Sequence, residues 1–496
     1  MHTIEIKPLP GDNSAAICAA LHELRDGGRL VLAPGRYRCR GGAVGKNGRT
    51  RAPSVTVKNL KRVTLEGNGA SLVGHDIAGL FHFIDGEGIT IRNLTVDWDP
   101  LPHTSGKVVA QLAEQHAFDL EPMIPADPPS GRIVQAIIAY NPELHRMGNG
   151  EVYQTQGERD AEPAIRLENG NLRVFQRRPG GAYSFNDKLP EIGAFVIVRH
   201  QVYGSDAFVF KGCVGVLLED LTVHAVPGMA VIGWQSQDIT IKRIKVVPAE
   251  GGWMSATADA MHFGGCRGLI TVEDSEFAGM GDDAINIHGM YGMVTKRLDD
   301  HTVEAGRARM NPYYDTERGT WDEPRPGDIL EYGGGKEPLQ PQGQLTVGAA
   351  HQDVQARRVV ITFKEALPRS IGEGSVLTNV SSTPAVRIRK CHVHSNRARG
   401  MLIQTRDVVI EDCLFEDITC AGIHICTDAC DWWESLGVRD VTVKGCVFRR
   451  NCYWGGSALQ IFSDIPGGQS APGVHQRIRI VNNRFEDNAG GSAINI

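Results

Sequence analysis

The sequence predicts an all-β fold, a parallel β-helix, and two observations carry that prediction. Eight octets with the same apolar and polar pattern recur along the chain, and a second short apolar strand follows most of them. Consecutive octets start 22 or 23 residues apart where the chain inserts nothing between them. A period in the low twenties, with short strands and no helix between them, is typical of a β-solenoid. The 58 glycines are spread without a collagen period, which favours a turn-rich β protein.

In each octet, positions 1, 3, 6 and 8 are mostly apolar and positions 2, 4, 5 and 7 are mostly polar. The octets occupy residues 89–96, 216–223, 239–246, 270–277, 386–393, 408–415, 441–448 and 478–485. Position 6 predicts one inward ladder, formed by Leu94, Leu221, Ile244, Ser275, Cys391, Cys413, Cys446 and Asn483. The sequence lacks the consensus of leucine-rich repeats, and a β-sandwich would not keep this period.

Taken in order, the chain begins with a helix predicted at residues 13–24, with Asn13 or Ser14 as its cap. A strand and a Pro-Gly turn follow, and together they suit the lid that the open end of a solenoid needs. Two stretches break the period and alternate short strands with Pro and Gly, so we expect antiparallel β insertions that wall or cover a site. The predicted units are a cap with the first coils at 1–98, an inserted β element at 99–205, central coils with the active site at 206–288, a second inserted β element at 289–385, and C-terminal coils at 386–496.

The composition argues against several classes of protein. The net charge of −6 leaves no basic surface for nucleic acid, and no run of eighteen apolar residues predicts a membrane span. Because the chain starts without a visible signal peptide, we expect a secreted or periplasmic protein if a leader was removed and a cytoplasmic one otherwise. The eleven cysteines favour small buried hydrophobes over disulfides, and the spacing of Cys420, Cys426 and Cys430 matches no common zinc pattern. We expect no metal and no cofactor, and the sequence leaves a homodimer open.

The most unusual stretch carries two near copies of one segment. Asp259-Ala260-Met261-His262-Phe263 matches Asp283-Ala284-Ile285-Asn286-Ile287, and the two aspartates are 24 residues apart. If this is one coil, the two carboxylates lie on neighbouring strands, about 4.8 Å apart at the backbone, with Asp282 beside them. The matching turns of the other coils are apolar or basic, so the acidic pair is not part of the repeat.

Three carboxylates on one patch repel each other, and such a cost usually marks chemistry. They suit glycoside hydrolysis, in which a protonated acid gives a proton to the leaving oxygen while carboxylates activate a water. Crowding by Asp259 and Asp283 predicts a raised pKa for Asp282, which would keep it protonated. The predicted catalytic residues are therefore Asp259, Asp282 and Asp283.

Other side chains are candidates for holding a sugar. His288 follows the acidic pair, a basic turn lies two octets later, indole faces stack on sugars, and an acidic stretch opens the first insertion. The predicted substrate-binding residues are His262, Asn286, His288, Arg397, Arg399, Trp433, Glu434 and Asp97.

Several landmarks, in matching order, resemble glycoside hydrolase family 110. They are the N-terminal cap, residues 97–102 (Asp-Trp-Asp-Pro-Leu-Pro), residues 257–263 (Thr-Ala-Asp-Ala-Met-His-Phe), residues 281–289 (Gly-Asp-Asp-Ala-Ile-Asn-Ile-His-Gly), residues 396–400 and residues 433–440. The resemblance implies a right-handed parallel β-helix with inserted β domains and an inverting exo-α-1,3-galactosidase that needs no metal. It also implies that Asp259, Asp282 and Asp283 match the proposed catalytic carboxylates, and that the partner is an oligosaccharide or glycan.

A more distant resemblance is to the polygalacturonases of family 28, which carry an aspartate one coil before an Asp-Asp pair. That analogy makes Asp282 the acid and Asp259 with Asp283 the base, but their Arg-Ile-Lys signature is not found in a usable place. Two alternatives stay open at this point. One is a β-helix enzyme acting on acidic polymers, including a lyase whose Ca²⁺ the three aspartates hold; the other is a carbohydrate-binding adhesin.

Overall fold

The structure, a computed structural model, describes residues 2–42, 52–75, 78–124, 132–153, 163–176, 188–306, 324–333, 340–353, 358–428, 434–435, 437–464 and 473–496. In these ranges most of the strands belong to two long parallel sheets, a seven-stranded antiparallel sheet and a six-stranded closed barrel. The two long sheets confirm the parallel β-helix that the octets predict.

The octets build the larger of the two parallel sheets, which we call the first sheet. Position 1 of each octet pairs with position 1 of the next, as in Val216 with Ile239 and Val408 with Val441. The strands of the first sheet are Thr3–Ile6, Gly28–Leu32, Arg36–Arg40, Lys61–His75, Glu87–Trp98, Val214–Val223, Gln237–Lys242, Lys245–Val246, Arg267–Glu273, Glu276–Ala278, Ala385–Arg389, His392–His394, Arg406–Glu411, Leu414–Glu416, Arg439–Lys444, Val447–Arg449, Gln476–Val481 and Arg484–Glu486.

A left-handed residue at position 5 bends the backbone within each octet of the first sheet. The φ angle there is 58° at Asn93, 54° at Asp220, 50° at Asp274 and 55° at Asp412, and Gly445 has 65° at the same position. Asn, Asp and Gly tolerate this conformation better than other residues and fill position 5 in six of the eight octets, whereas Arg243 and Lys390 fill it in the other two with φ angles of 50° and 52°. These aspartates have a structural role.

The second strand of each coil lies in a ten-stranded parallel sheet, which we call the second sheet. Inward residues of both sheets, together with the ladder at octet position 6, form one continuous apolar core. The strands of the second sheet are Val55–Lys58, Phe81–Ile84, Phe208–Lys211, Val231–Trp234, Met261–Gly264, Ile285–His288, Met401–Gln404, Ile423–Asp428, Ser457–Asp464 and Ser492–Asn495.

Cysteines in the position 6 ladder pack as small buried groups, as predicted. Cys391, Cys413 and Cys446 are at most 2% exposed and are free thiols. The backbone N–H of Cys391 lies 3.5 Å from Cys413 Sγ, and the backbone N–H of Cys446 donates to Asn483 Oδ1 at 2.8 Å. The ladder therefore satisfies backbone donors at the bend, which an aliphatic side chain could not do.

The predicted N-terminal helix spans Ser14–Glu23 and packs Ile17 and Leu21 against the main core. Asn13, one of the two predicted caps, is the N-cap residue, although it makes no side-chain capping hydrogen bond. Its side chain instead accepts from the N–H of Leu9 at 2.7 Å and donates to the carbonyl of Arg38 at 3.1 Å, tying two loops together. No helix within the described ranges has the length and apolar content that a bilayer span requires.

The first departure from the period forms the antiparallel sheet. It packs on the β-helix through Tyr140, whose ring stacks on Trp253 with centroids 4.3 Å apart. Its last strand returns the chain to the coils just before residue 206, where Arg199 and Tyr203 lie. Its strands are His103–Leu112, Ala117–Ile124, Ala136–Asn141, Arg146–Tyr153, Ile165–Arg166, Leu172–Phe175 and Phe195–Arg199.

The second departure forms the closed barrel. Apolar barrel residues share a core with Met229, Ile232 and Trp234 on the outer face of the second sheet. Two buried ion pairs add to this anchoring, between Arg267 and Asp328 at 2.6–2.7 Å and between Arg406 and Glu331 at 2.6–3.0 Å. The barrel strands are Tyr291–Arg297, Thr302–Gly306, Ile329–Gly333, Gly343–Asp353, Arg358–Phe363 and Val376–Asn379.

Candidate active site

The two near copies found in the sequence lie on adjacent strands of the second sheet. Met261 pairs with Ile285 and His262 with Asn286, so Asp259 and Asp283 stand in register where the two strands begin. The N–H of Asp283 donates to Asp259 Oδ1 at 3.2 Å. The alignment expected from the sequence is therefore present, and it follows from the coil period.

The three aspartates form a compact group, which we call the triad. One carboxylate oxygen from each residue lies within 4.8 Å of those of the other two. The side chain of Asp282 is 17% exposed, whereas those of Asp259 and Asp283 are 6% and 2% exposed. Asp282 is thus the member of the triad that solvent or a substrate can reach most easily.

The basic turn predicted at residues 396–400 faces the triad. Arg399 binds both oxygens of Asp283, through Nε at 2.8 Å and an Nη at 2.7 Å, and its backbone N–H adds a third bond at 2.9 Å. Arg397 lies 3.3 Å from Asp282 Oδ1. The side-chain amide of Asn396 donates to the carbonyl oxygens of Arg397 and Arg399, both at 2.9 Å, which holds the turn in shape.

The sequence did not point to two further residues of the site, Tyr203 and Arg199. The Tyr203 hydroxyl donates to Asp282 Oδ2 at 2.8 Å, and buried Arg199 donates to the carbonyls of Thr257 and Gly281 at 2.7 and 3.2 Å. Both residues come from the end of the antiparallel sheet, outside the repeat. No spacing relates them to the triad, so only the return of that sheet to the coils reveals them.

Burial and charge move two members of the triad in opposite directions. Burial and the charges of Asp282 and Asp283 raise the pKa of Asp259 well above its ordinary value. Burial also opposes ionisation of Asp282, but the charges of Arg397 and Arg399 and the hydrogen bond from Tyr203 outweigh it, so the pKa of Asp282 is lowered. The predicted rise for Asp282 is therefore wrong, because cations from the neighbouring coil neutralise the crowding.

Two histidines and a glutamate continue the site from Asp259. Asp259 Oδ2 lies 2.8 Å from His262 Nδ1, and His262 Nε2 lies 2.9 Å from His288 Nε2. His288 Nδ1 lies 2.9 Å from the carbonyl oxygen of Gly289, and Glu434 Oε1 is 3.6 Å from His288 Nε2. All of these side chains are at most 6% exposed. The structure thus brings Glu434, from a loop far along the chain, to the same place as the predicted His262 and His288.

Outward positions of the second sheet extend the site as a polar row. His262 pairs with Asn286, Asn286 with Leu402, and Leu402 with His424. Asn286 Oδ1 and His424 Nε2 are buried atoms that have no hydrogen-bond partner among the described residues. Burial lowers the pKa of His424 to about 3, so its ring is neutral. Two groups with unused hydrogen-bonding capacity, on one outward row of the second sheet with Leu402 between them, suit the hydroxyls of a sugar.

One predicted binding residue, Asp97, makes its described contacts away from the triad. Among the described contacts of Asp97, its carboxylate accepts from the N–H of Trp98 at 2.8 Å and lies near His224 and Arg36, away from the triad. No described contact of Asp97 supports the prediction that its side chain projects to the same wall as the triad. Trp433 lies outside the described residues.

Metal-ligand residue types cluster in three places within the described ranges: the triad, His262 with His288 and Glu434, and Glu276 with His392 and His394. In the triad, Arg399 already occupies both oxygens of Asp283. In the second group the two ring nitrogens hydrogen-bond each other. In the third, Lys245 lies 3.3 Å from Glu276. The absence of a metal stays a prediction of the sequence.

The chain is similar to several curated proteins named alpha-1,3-galactosidase. It is 26% identical over 424 residues to alpha-1,3-galactosidase B of Bacteroides fragilis, covering 79% of this chain and 67% of that protein. It is 28% identical over 454 residues to alpha-1,3-galactosidase A of Bacteroides thetaiotaomicron, covering 88% and 75%. A family 28 exopolygalacturonase of Yersinia enterocolitica aligns in structure with a TM-score of 0.44 and 12% identity, over 99% of this chain and 66% of that one. No model of a known protein family matches the sequence.

These sequence relatives confirm the resemblance that the motifs predict, and they agree with a site built from carboxylates on a β-helix. The relatives support an alpha-1,3-galactosidase-like family for this chain, and they indicate that the protein is a glycoside hydrolase.

Proposed function

We propose that this protein is an inverting exo-α-galactosidase that releases terminal α-1,3-linked galactose from oligosaccharides or glycans. The observation that carries the proposal is the triad, in which the surroundings raise the pKa of Asp259 and lower that of Asp282, while Arg399 binds both oxygens of Asp283. Groups whose surroundings push their pKa values apart are the usual acid and base of a hydrolase. The names of the sequence relatives supply the α-1,3-galactosyl bond.

We assign the proton donor to Asp282, the most exposed member of the triad. A bound sugar replaces the water around this carboxyl, and loss of hydration favours its protonated form. The proton comes from Asp259, across a gap of at most 4.8 Å that one water can bridge. Asp282 then protonates the glycosidic oxygen. Asp259, now ionised, and Asp283 hold the attacking water, and Asp259 takes its proton, which restores the starting state.

The spacing of the triad bears on the stereochemistry. Inverting pairs are usually about 6.5–9.5 Å apart and retaining pairs about 5–5.5 Å, whereas the nearest oxygens here lie within 4.8 Å. A retaining mechanism needs a carboxylate free to attack carbon. Both oxygens of Asp283 are bound by Arg399, and those of Asp259 face His262 and the N–H of Asp283. These bonds weaken both as nucleophiles, which favours attack by water.

The product anomer tests the proposal directly. Purified protein and galactosyl-α-1,3-galactose, followed by NMR in the presence of EDTA, should give β-galactose as the first sugar released. α-Galactose as the first anomer would contradict inversion and indicate a covalent intermediate. Failure to cleave any α-galactoside would contradict the proposed function itself. A Ca²⁺-dependent lyase would instead give an unsaturated product from uronate polymers and lose activity in EDTA. It is disfavoured because Ca²⁺ needs six to eight oxygen ligands and Arg399 occupies those of Asp283.

The polar row predicts the residues that hold the galactose. Asn286→Ala and His424→Ala should each raise KM for galactosyl-α-1,3-galactose by about 2- to 12-fold, the value of one neutral hydrogen bond, with little change in kcat. Steady-state kinetics measure this. Thr240→Ala, on the outer face of the first sheet, is the matched control and should leave KM unchanged. If KM were unchanged in both Asn286→Ala and His424→Ala, the polar row would not be part of the binding site.

A further inference from the structure

The hydrogen-bond polarity of the buried histidines can be worked out from one fixed end. The carbonyl oxygen of Gly289 can only accept, so His288 Nδ1, 2.9 Å away, carries a hydrogen. If the His288 ring is neutral, its Nε2 is an acceptor, and His262 Nε2 at 2.9 Å must donate to it. His262 Nδ1 then has no hydrogen unless the ring is charged, and the hydrogen between it and Asp259 Oδ2 comes from a protonated Asp259.

Moving that proton from Asp259 to either histidine does not change the number of hydrogen bonds. With Asp259 ionised, either His262 or His288 is an imidazolium, and all three hydrogen bonds remain. Removing the proton leaves one bond without a hydrogen. If that bond is the one between the two Nε2 atoms, two lone pairs face each other at 2.9 Å in a buried site, which is costly. The three contacts therefore favour one proton beyond the two that neutral rings carry.

We propose that Asp259, His262 and His288 form a single hydrogen-bonded chain that stores one exchangeable proton and supplies it to the triad. The inference rests on the proposed function, because it names the source of the proton that reaches Asp282. His262 and His288 are positioning residues that act through Asp259. The proton balance closes within the site, since Asp259 gives the stored proton to Asp282 and recovers one from the attacking water.

The surroundings of the chain set where the proton lies. At the triad end, the groups facing Asp259 are Asp282, Asp283, Arg399 and Tyr203. At the other end, Glu434 lies 3.6 Å from His288 Nε2, and the Trp234 ring packs edge-on against the imidazole. Carboxylates at both ends favour a positive charge on the rings between them. The stored proton therefore has favourable positions along the whole chain.

Substituting His262 tests the store through the pH profile. His262→Gln should lower kcat at least about tenfold, a part of what general acid catalysis supplies, while KM changes little. The alkaline limb of the kcat profile should move to lower pH, because Asp259 alone then holds the proton. His288→Gln should shift the limb in the same direction. His392→Gln, on the outer face of the first sheet, is the matched control. If the alkaline limb of the kcat profile stayed at the wild-type pH in both His262→Gln and His288→Gln, the proposal would be overturned.

A second readout does not depend on activity, so it separates this proposal from the proposed function. NMR of the full-length protein with ¹⁵N-labelled histidine should show hydrogens on His288 Nδ1 and His262 Nε2, and one further hydrogen-bonded proton that His262→Gln removes. Both Nε2 atoms without hydrogen, together with one equivalent of bound metal by elemental analysis, would overturn it, because a metal would then take the proton's place. If the wild-type protein had no galactosidase activity, only the proposed function would be contradicted.

Discussion

Asp282→Asn should lower kcat on galactosyl-α-1,3-galactose by about 10²–10⁴-fold, the usual contribution of a general acid. The loss should be much smaller on an aryl α-galactoside, because a good leaving group departs without a proton. Asp259→Asn should lose activity on both substrates, since Asp259 activates the water. Steady-state kinetics on the two substrates give the comparison.

Asp274→Asn is the matched control for these two variants. Asp274 is exposed, at octet position 5, and its φ of 50° is one that asparagine also tolerates. The activity of the Asp274→Asn variant should equal that of the wild type on both substrates. If Asp259→Asn kept activity on the aryl substrate and Asp282→Asn did not, the two roles would have to be exchanged.

Arg399→Met should be the most destabilising substitution at the site. It leaves the carboxylate of Asp283, whose side chain is 2% exposed, without the cation that binds both of its oxygens. Breaking a buried pair costs about 3–5 kcal/mol, and we expect the lower end because the Arg399 side chain is 34% exposed. Urea unfolding followed by circular dichroism measures the loss.

Two further variants show whether the unpaired charge is the cause. Arg399→Met combined with Asp283→Asn should recover much of the stability, because no charge is left buried, but it should not recover activity. Arg387→Met breaks the exposed pair with Asp407 and should cost at most about 1 kcal/mol. Equal losses in Arg387→Met and Arg399→Met would contradict the argument from burial.

Most of the scaffold could be predicted from the sequence because each coil repeats one local rule. The octet pattern fixes which side chains point inward, and its position 1 gives the register that the structure shows between Ile239 and Ile270. The same rule placed Asp259 and Asp283 side by side, since they occupy equal positions in consecutive coils. Where the repeat governs position, spacing was enough.

The rest of the site depends on contacts that no period encodes. Arg397 and Arg399 follow the barrel insertion by sequence, yet they stand one coil from the triad and reverse the pKa shift expected for Asp282. Tyr203 arrives from the antiparallel sheet. The approach of His262 to His288 depends on side-chain rotamers across two strands. Spacing alone could have suggested that these residues share a region, but not which charge dominates.

The cysteines of the position 6 ladder are natural probes for local opening of the β-helix. Hydrogen bonds between neighbouring thiols, together with burial, raise the pKa of Cys413 and Cys446. Only the thiolate reacts with alkylating reagents, so these two residues are inert while their coils stay closed. Because Cys413 and Cys446 lie on consecutive coils of the first sheet, their separate labelling rates would report how far a local opening spreads along the solenoid before the whole molecule unfolds.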